Sequence, residues 1–311
     1  MLRYACRRLI YMVITLWVIV TFTFVLMKNL PGDPFGEESL KLTAEQKTLL
    51  YAQYGLDKPL WQQYLKYMNN VIHGDLGVSY AFPTRKVTDI IAQGFPASLE
   101  LGLWALVIAI IVGLILGVIA SLNHNKGADI GAMFTAVIGI SIPSFVLGPL
   151  LSYFIGVKLG WLPTGMWTGP SSRVLPAIAL SFGTIAILAR LMRTSMLDVL
   201  SLDYIKTAKA KGLPQRTIVI RHTLRNAILP VVTVLGPVFV NLITGTLVVE
   251  QIFVVPGLGK HFVQSIYSND YTMITGLTIF YSFLLVAVLF ITDIIYGFVD
   301  PRIRLTQGGS K

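Results

Sequence analysis

Residues 201–230 read SLDYIKTAKAKGLPQRTIVIRHTLRNAILP, a basic segment that lies between two long uncharged stretches. Ser201 can cap a helix N-terminus, and three lysines gather towards the other end of that helix, just before Gly212. Glycine readily adopts the left-handed conformation that ends a helix, and Pro214 can begin a second helix that runs to about Leu224. The segment is therefore predicted to fold as a short helix, a glycine elbow and another short helix.

The composition of the 311-residue chain requires a lipid solvent. Hydrophobic residues make up 54% of the chain, charged residues only 13%, and the mean hydropathy is +0.70. Such a chain has too few polar side chains to cover its apolar ones in water, so we predict an all-α integral membrane protein. Its basic character is explained by membrane orientation, and no nucleic-acid partner is expected.

Six stretches free of charged residues and histidine are the predicted transmembrane helices. About 20 helical residues are needed to cross the hydrocarbon core, and every stretch except Val174–Ala189 reaches that length. We include this shorter stretch because Arg190 and Arg193 at its end can snorkel to the membrane interface. The six predicted spans are Leu9–Met27, Leu101–Leu122, Ile130–Val157, Val174–Ala189, Asn226–Val249 and Tyr271–Thr292.

The distribution of basic residues predicts the topology. With a cytosolic N-terminus, basic and acidic residues balance outside, and the formal net charge of +10 falls on the cytosolic side, as the positive-inside rule requires. Both termini are therefore expected in the cytosol. The predicted segments are a cytosolic tail and first helix (1–30), an outer-side insertion between helices 1 and 2 (31–97), a transmembrane core (98–300) containing a cytosolic loop (196–226), and a cytosolic tail (301–311).

No enzyme or metal signature is present in the sequence. Residues 257–260, Gly-Leu-Gly-Lys, resemble the end of a phosphate-binding loop, but His261 follows where serine or threonine is required. The histidines are scattered over different loops without the spacing of metal ligands. We therefore expect no catalytic residue, no metal and no cofactor bound by this chain.

One face of the fifth predicted span carries polar residues. Helical spacing places Thr233, Pro237, Asn241 and Thr244 together, since they are separated by four, four and three residues. Polar groups that face lipid lack partners, so the face as a whole favours the lining of a translocation path, completed by Ser141 and Ser144 beside Pro143 in the third span. For Asn241 alone, a hydrogen bond between helices is an equally weighted alternative.

Several motifs resemble those of a known transporter family. Residues 207–212, Thr-Ala-Lys-Ala-Lys-Gly, followed by Arg221–Pro230, resemble the coupling motif of binding-protein-dependent ABC importer permeases. The usual Glu-Ala-Ala start of that motif is here Lys206-Thr207-Ala208, as in the peptide and nickel branch of the family. Four further segments resemble oligopeptide and dipeptide permeases: Pro31-Gly32-Asp33-Pro34, Gly74-Asp75-Leu76-Gly77, Glu250 with Pro256-Gly257-Leu258-Gly259, and Asp300-Pro301-Arg302-Ile303-Arg304.

The resemblance implies the type I ABC importer permease fold with six transmembrane helices, most similar to the first permease subunit of an oligopeptide importer. It implies a multi-pass protein of a bacterial cytoplasmic membrane. The implied partners are a second homologous permease subunit, two ATPase subunits that bind ATP and Mg, an outer substrate-binding lipoprotein, and peptide substrate. The residues expected to couple to the ATPase are Tyr204, Lys206, Thr207, Ala208, Ala210 and Gly212, with Ala208 on the docked face.

Other functions remain as alternatives at this point. A dipeptide or nickel importer permease would share the same motifs. An ion-coupled secondary transporter with six helices is an alternative from a different class, but such proteins place ionisable residues within the membrane, and none of the six stretches has one near its centre.

Overall fold

The computed structural model of the chain describes residues 2–29, 33, 35 and 42–299, with side chains from residue 6 to residue 294. Within these ranges the regular structure is helical, apart from an isolated antiparallel bridge between Val78 and Lys86. Three of the residues of the motif at 31–34, the motif at 300–304 and the predicted tail at 301–311 lie outside the described residues.

Short helical turns of other types separate some of the α-helices along the chain. Two π-helical turns, π1 (Ser152–Lys158) and π2 (Ile218–Leu224), and a 3-10 turn (Pro170–Arg173) interrupt the α-helical pattern. The α-helices are α1 (Leu2–Asn29), α2 (Ala44–Tyr54), α3 (Leu60–Ile72), α4 (Val87–Leu122), α5 (Gly127–Ser141), α6 (Ser144–Leu151), α7 (Val174–Leu200), α8 (Asp203–Ala210), α9 (Gln215–Thr217), α10 (Arg225–Ala227), α11 (Leu229–Thr244), α12 (Leu247–Phe253), α13 (Leu258–Tyr267) and α14 (Tyr271–Val299).

The predicted spans are found as four continuous helices and two bent pairs. Among the described residues, α1, α4, α7 and α14 contain segments long and apolar enough to cross a membrane. The third and fifth spans were predicted as single helices, and this was wrong. Gly127–Ser141 and Ser144–Lys158 meet at 105°, and Gln215–Ala227 and Leu229–Thr244 meet at 48°.

A proline lies at each bend. Pro143 has no backbone N–H, and a proline disfavours the helical conformation of the residue before it. Ile142 takes the extended conformation, with φ −94° and ψ 112°. Pro230 lies in the first turn of α11, just after the second bend, at a position where its missing N–H removes no helical hydrogen bond. The fourth span was predicted from a short uncharged stretch. In the structure it is one continuous helix, because α7 is 27 residues long.

The described residues divide into two compact units. The first comprises the described residues up to Ala97 together with Gly257–Phe290. Its core joins the first turns of α4 to α13 and α14 through side chains that are all buried: Val87, Ile90, Ile91, Leu258, Met273 and Leu277. In the same unit α3 packs on α1, where Phe24 contacts the rings of Tyr64 and Tyr67 at centroid distances of 5.4 Å.

The second unit comprises Ser98–Pro256 with the described residues from Ile291 onward, and α7 lies at its centre, in contact with α5, α6, α11 and α12. Glycines allow the backbone of α4 to approach α7 closely. A Cβ atom at Gly113 would lie 3.1 Å from the carbonyl oxygen of Ile185, and one at Gly117 would lie 2.6 Å from that of Ala189. Gly113 and Gly117 are four residues apart, which is the small-xxx-small spacing that brings membrane helices together.

Candidate functional site

The inner face of α8 is buried against the segment that follows it in the chain. Ile205 and Ala208 share one side of the helix because they are three residues apart, and their exposed fractions are 0% and 7%. They form a cluster with Ile218, which is 1% exposed, while Val199 and Leu200 pack against its edge. The apolar cluster therefore fixes α8 to the end of α7 and the start of π2.

The elbow after α8 has the geometry predicted from its glycine. Gly212 has φ +73°, and its N–H donates to the carbonyl oxygen of Lys209 at 3.0 Å. The N–H of Leu213 donates to the carbonyl oxygen of Ala208 at 3.3 Å. These two bonds form a Schellman motif, which ends the helix and satisfies its last carbonyl groups. A Cβ atom at Gly212 would meet nothing within 4 Å, so its backbone conformation, and not space, favours glycine.

The predicted capping role of Ser201 was wrong. The helix α7 continues to Leu200, and the Ser201 hydroxyl donates back to the carbonyl oxygen of Asp198 at 2.7 Å. The next helix begins at Asp203 with Leu202 at its N-cap and no side-chain cap. Ser201 therefore belongs to the end of α7, since its hydroxyl is already engaged by that helix.

Tyr204 links α8 to the helical segment beyond the elbow. Its hydroxyl accepts a hydrogen bond from the Asn226 side-chain amide at 2.8 Å and donates to the carbonyl oxygen of His222 at 3.4 Å. Asn226 belongs to α10 and His222 to π2, so one side chain connects three helical elements. Within this chain Tyr204 is thus a positioning residue.

The outer face of α8 carries polar and small residues. Lys206, Thr207 and Ala210 are exposed, and Lys206 forms an ion pair with Asp203 at 2.8 Å. Thr207 donates its hydroxyl to the carbonyl oxygen of Asp203 at 3.0 Å. Ala208 was expected on this face as well, but it lies on the opposite, buried side. The expectation is corrected because the return of the chain through Ile218 covers Ala208.

The polar face predicted for the fifth span is present on α11 for three of its four residues. Thr233, Pro237 and Asn241 are exposed, whereas Thr244 is half-buried. The Thr233 hydroxyl donates to the carbonyl oxygen of Pro230 at 2.5 Å, and the Thr244 hydroxyl to that of Val240 at 2.9 Å. Both hydroxyls are thus satisfied by their own helix and need no cavity. Among the described residues, the Asn241 side-chain amide has no hydrogen-bond partner.

The two serines predicted to complete this lining lie on either side of the 105° bend. Ser141 is exposed at the end of α5, and its hydroxyl donates to the carbonyl oxygen of Val137 at 2.8 Å. Ser144 is half-buried and is the first residue of α6. Over the described part of the chain, neither serine hydrogen-bonds to α11, so the path assignment for both stays a prediction.

Sequence comparison relates the chain to known transport proteins over its whole length. The family model described as "Binding-protein-dependent transport system inner membrane component" matches residues 109–305, and the model for the N-terminal part of such membrane components matches residues 1–102. The chain belongs to this family. It is a multi-pass membrane permease of the ABC importer class, and the predicted family is confirmed.

Relatives of the permease are named for two kinds of peptide. The dipeptide transport system permease protein DppB of Bacillus subtilis (strain 168) is 50% identical over 309 residues, covering 99% of this chain and 100% of the relative. The oligopeptide transport system permease protein OppB of Escherichia coli (strain K12) is 41% identical over 307 residues, covering 98% and 100%. Both similarities thus extend over the complete length of the relative.

A solved structure supports the fold. A chain of the MetNI methionine ABC transporter in an inward-facing conformation has a TM-score of 0.58 with 20% identity, covering 68% of the permease and 97% of that chain. The permease therefore has the all-α type I ABC importer fold that was predicted.

A buried ion pair between α5 and α7 of the permease was missed by the sequence reasoning. Asp129 is 3% exposed and accepts two hydrogen bonds from Arg193, Nε to Oδ1 at 2.6 Å and Nη2 to Oδ2 at 2.7 Å. The backbone N–H of Asn125 donates to the same carboxylate at 2.9 Å. Arg193 was expected to snorkel, which was wrong, because it joins the start of α5 to α7. The sequence feature that could have predicted this pair is an acidic and a basic residue at the ends of neighbouring spans.

The permease offers no cluster of metal ligands where its structure is described. No three His, Cys, Asp or Glu residues there lie close enough together to hold a metal ion.

Proposed function

We propose that the permease moves short peptides across a bacterial cytoplasmic membrane as one membrane subunit of an ATP-driven importer. The observation that carries this proposal is the full-length similarity to permeases named for peptide transport, with identities of 41% and 50%. Oligopeptides are the cargo expected from the sequence motifs. Dipeptides are the second candidate, favoured by the 50% identity to a dipeptide permease.

The proposed complex contains three further kinds of subunit. A second homologous permease subunit completes the membrane part, two ATPase subunits with ATP and Mg bind the cytosolic side, and an outer substrate-binding lipoprotein delivers the peptide. The family name, which specifies binding-protein-dependent transport, supports a delivering protein. The proposed orientation has both termini in the cytosol, because this places the net charge of +10 on the cytosolic side.

Coupling would begin at the exposed face of α8. In this proposal Lys206, Thr207 and Ala210 contact the ATPase. Gly212 provides the left-handed conformation of the elbow, and Ala208 packs α8 against the rest of the permease. The buried cluster and the Tyr204–Asn226 hydrogen bond tie α8 to π2 and α10. Movement of the ATPase would therefore pass through α8 to the bend before α11, which carries the proposed path.

Reconstitution of the complex tests this function. The permease, its candidate partner permease, the two ATPases and the lipoprotein are placed in liposomes, and uptake of a labelled dipeptide and a labelled tetrapeptide is measured. Uptake is expected to require both ATP hydrolysis and the lipoprotein. Uptake that is driven by an ion gradient without ATP would contradict the proposal and favour secondary transport.

Asn241 provides a test of the translocation path. Replacing Asn241 with leucine is expected to lower peptide uptake several-fold, because an exposed amide that can hydrogen-bond passing peptide groups is lost, and such bonds contribute about 0.5–1.5 kcal/mol. Assembly of the complex and docking of the ATPase subunits should be retained.

The matched control is Thr233→Val on the same face, where the hydroxyl is already bonded to its own helix. Uptake is expected to change little in this variant. If Asn241→Leu instead prevents the permease from pairing with its partner permease in a pull-down, α11 presents an interface and the path assignment is wrong.

A further inference from the structure

A cavity of about 260 Å³ lies in the first unit, and no residue of α8 or α11 lines it. Residues near the ends of two membrane-spanning helices line it, among them Lys28 in the last turn of α1 and Tyr271 at the start of α14. Lysine and tyrosine are typical of the level at which helices leave the hydrocarbon core. Phe24 and Met27 extend the lining into the span. The cavity therefore lies at the level of phospholipid headgroups.

One polar stripe of α3 forms a wall of this cavity. Gln63, Lys66, Tyr67 and Asn70 all line it, and their spacing of three, four and seven residues from the first places them on one helical face. The face is held in position from the side, since the Tyr67 ring stacks on Phe24 with a centroid distance of 5.4 Å. The wall is thus built by a helix that is fixed to a membrane span.

Two buried atoms on this wall have no hydrogen-bond partner among the described residues. They are the Gln63 Oε1 atom and the Tyr67 hydroxyl. The Gln63 side-chain nitrogen donates to the carbonyl oxygens of Leu56 and Lys58 at 3.2 and 2.7 Å, which fixes the amide with its oxygen as the free acceptor. Burial raises the pKa of Tyr67 well above its usual value, so the hydroxyl keeps its proton. The cavity therefore offers one unused acceptor and one unused donor.

The charges around the cavity favour an anion. Lys28 and Lys66 both line it, and the carboxylate that lines it, Asp75, accepts a hydrogen bond from the N–H of Gly77 at 2.9 Å. Two ammonium groups and one carboxylate leave a net positive lining. A phosphate diester suits two ammonium groups and a hydroxyl donor, while the Gln63 oxygen suits a hydroxyl on the same headgroup.

We propose that this cavity binds a phosphate diester that carries a hydroxyl group, supplied by the headgroup of phosphatidylglycerol. The phosphate accepts hydrogen bonds from Lys28, Lys66 and Tyr67, and the Gln63 oxygen accepts one from the glycerol hydroxyl. The site is independent of the proposed transport function.

The test uses the complete complex in nanodiscs of phosphatidylcholine with increasing amounts of phosphatidylglycerol. Phosphatidylglycerol is expected to raise the thermal unfolding midpoint of the wild-type complex and to be retained on purification. The double variant Lys28→Gln, Lys66→Gln should bind it at least about tenfold more weakly, because charge-assisted hydrogen bonds are lost. The matched control, Lys86→Gln with Lys260→Gln, removes two exposed lysines that do not line the cavity and should bind as the wild type does.

Tyr67→Phe separates a binding role from a purely structural one. The ring contact with Phe24 is kept, and without lipid the variant should be as stable as the wild type or more so, since an unpaired buried hydroxyl is removed. Its stabilisation by phosphatidylglycerol should nevertheless be smaller.

Water-soluble glycerophosphoglycerol identifies the source of the headgroup. Stabilisation by phosphatidylglycerol alone assigns the site to the lipid, and equal stabilisation by the soluble compound assigns it to a phosphodiester from solution; either result upholds the diester site. If the cavity variants respond to both compounds as the control does, the site does not exist.

Discussion

Replacing Ala208 with glutamate is expected to abolish peptide uptake while leaving the permease inserted in the membrane. Ala208 is 7% exposed and packs with Ile205 and Ile218. A carboxylate at this position would be buried without a partner, which costs several kcal/mol. The helix α8 should therefore lose its packing against Ile218. Hydrogen exchange of the amides of residues 203–210 would measure this, and exchange in this segment is expected to become much faster.

Ala210→Glu is the matched control because it introduces the same side chain on the exposed side of the same helix. Exchange in α8 should then stay slow. Loss of ATP-driven uptake in Ala210→Glu with α8 still protected would support an ATPase contact at the exposed face. Slow exchange in Ala208→Glu would show that the buried cluster does not hold α8.

Replacing Gly117 with valine is expected to destabilise the permease strongly. A Cβ atom at Gly117 would lie 2.6 Å from both the Ala189 carbonyl oxygen and the Met192 Cβ atom. Neither atom can move aside without a shift of the α7 backbone. Overpacking of this kind costs about 1–3 kcal/mol or more. The thermal unfolding midpoint of the purified chain and its yield in detergent should both fall.

Gly131→Val in α5 controls for the exchange of glycine for valine within a helix. A Cβ atom at Gly131 would meet nothing within 4 Å, so only the intrinsic helix preference changes. We expect little loss of stability in this variant. An equal loss in both variants would show that the close approach of α4 and α7 contributes nothing specific.

The sequence predicted the helical spans well because each is a long apolar segment, and composition alone determines that it must be helical in lipid. It predicted the bends poorly. Pro143 was noted beside the two serines, yet Ile130–Val157 was treated as one helix. A proline in a membrane span can be accommodated by a kink or by a complete break, and packing around it decides between them. The 105° angle is therefore a tertiary property.

The candidate site shows the same division between local and tertiary effects. The elbow at Gly212 was predicted because its left-handed conformation depends on the residue itself. The burial of Ala208 was not, because it depends on Ile218, which returns to α8 only after the elbow. Ser201 was misassigned for a related reason. A serine between two helices can serve the end of one or the start of the other, and the length of α7 decided the outcome.

The connections on both sides of α8 are short and held by backbone hydrogen bonds. Only Ser201 and Leu202 separate it from α7, a length of roughly 7 Å when fully extended, and the Ser201 N–H is bonded to the carbonyl oxygens of Leu197 and Asp198. Beyond the other end, the N–H of Leu213 is bonded to Ala208. Because both connections are short and hydrogen-bonded, we expect a displacement of α8 to be passed on to α7 and π2.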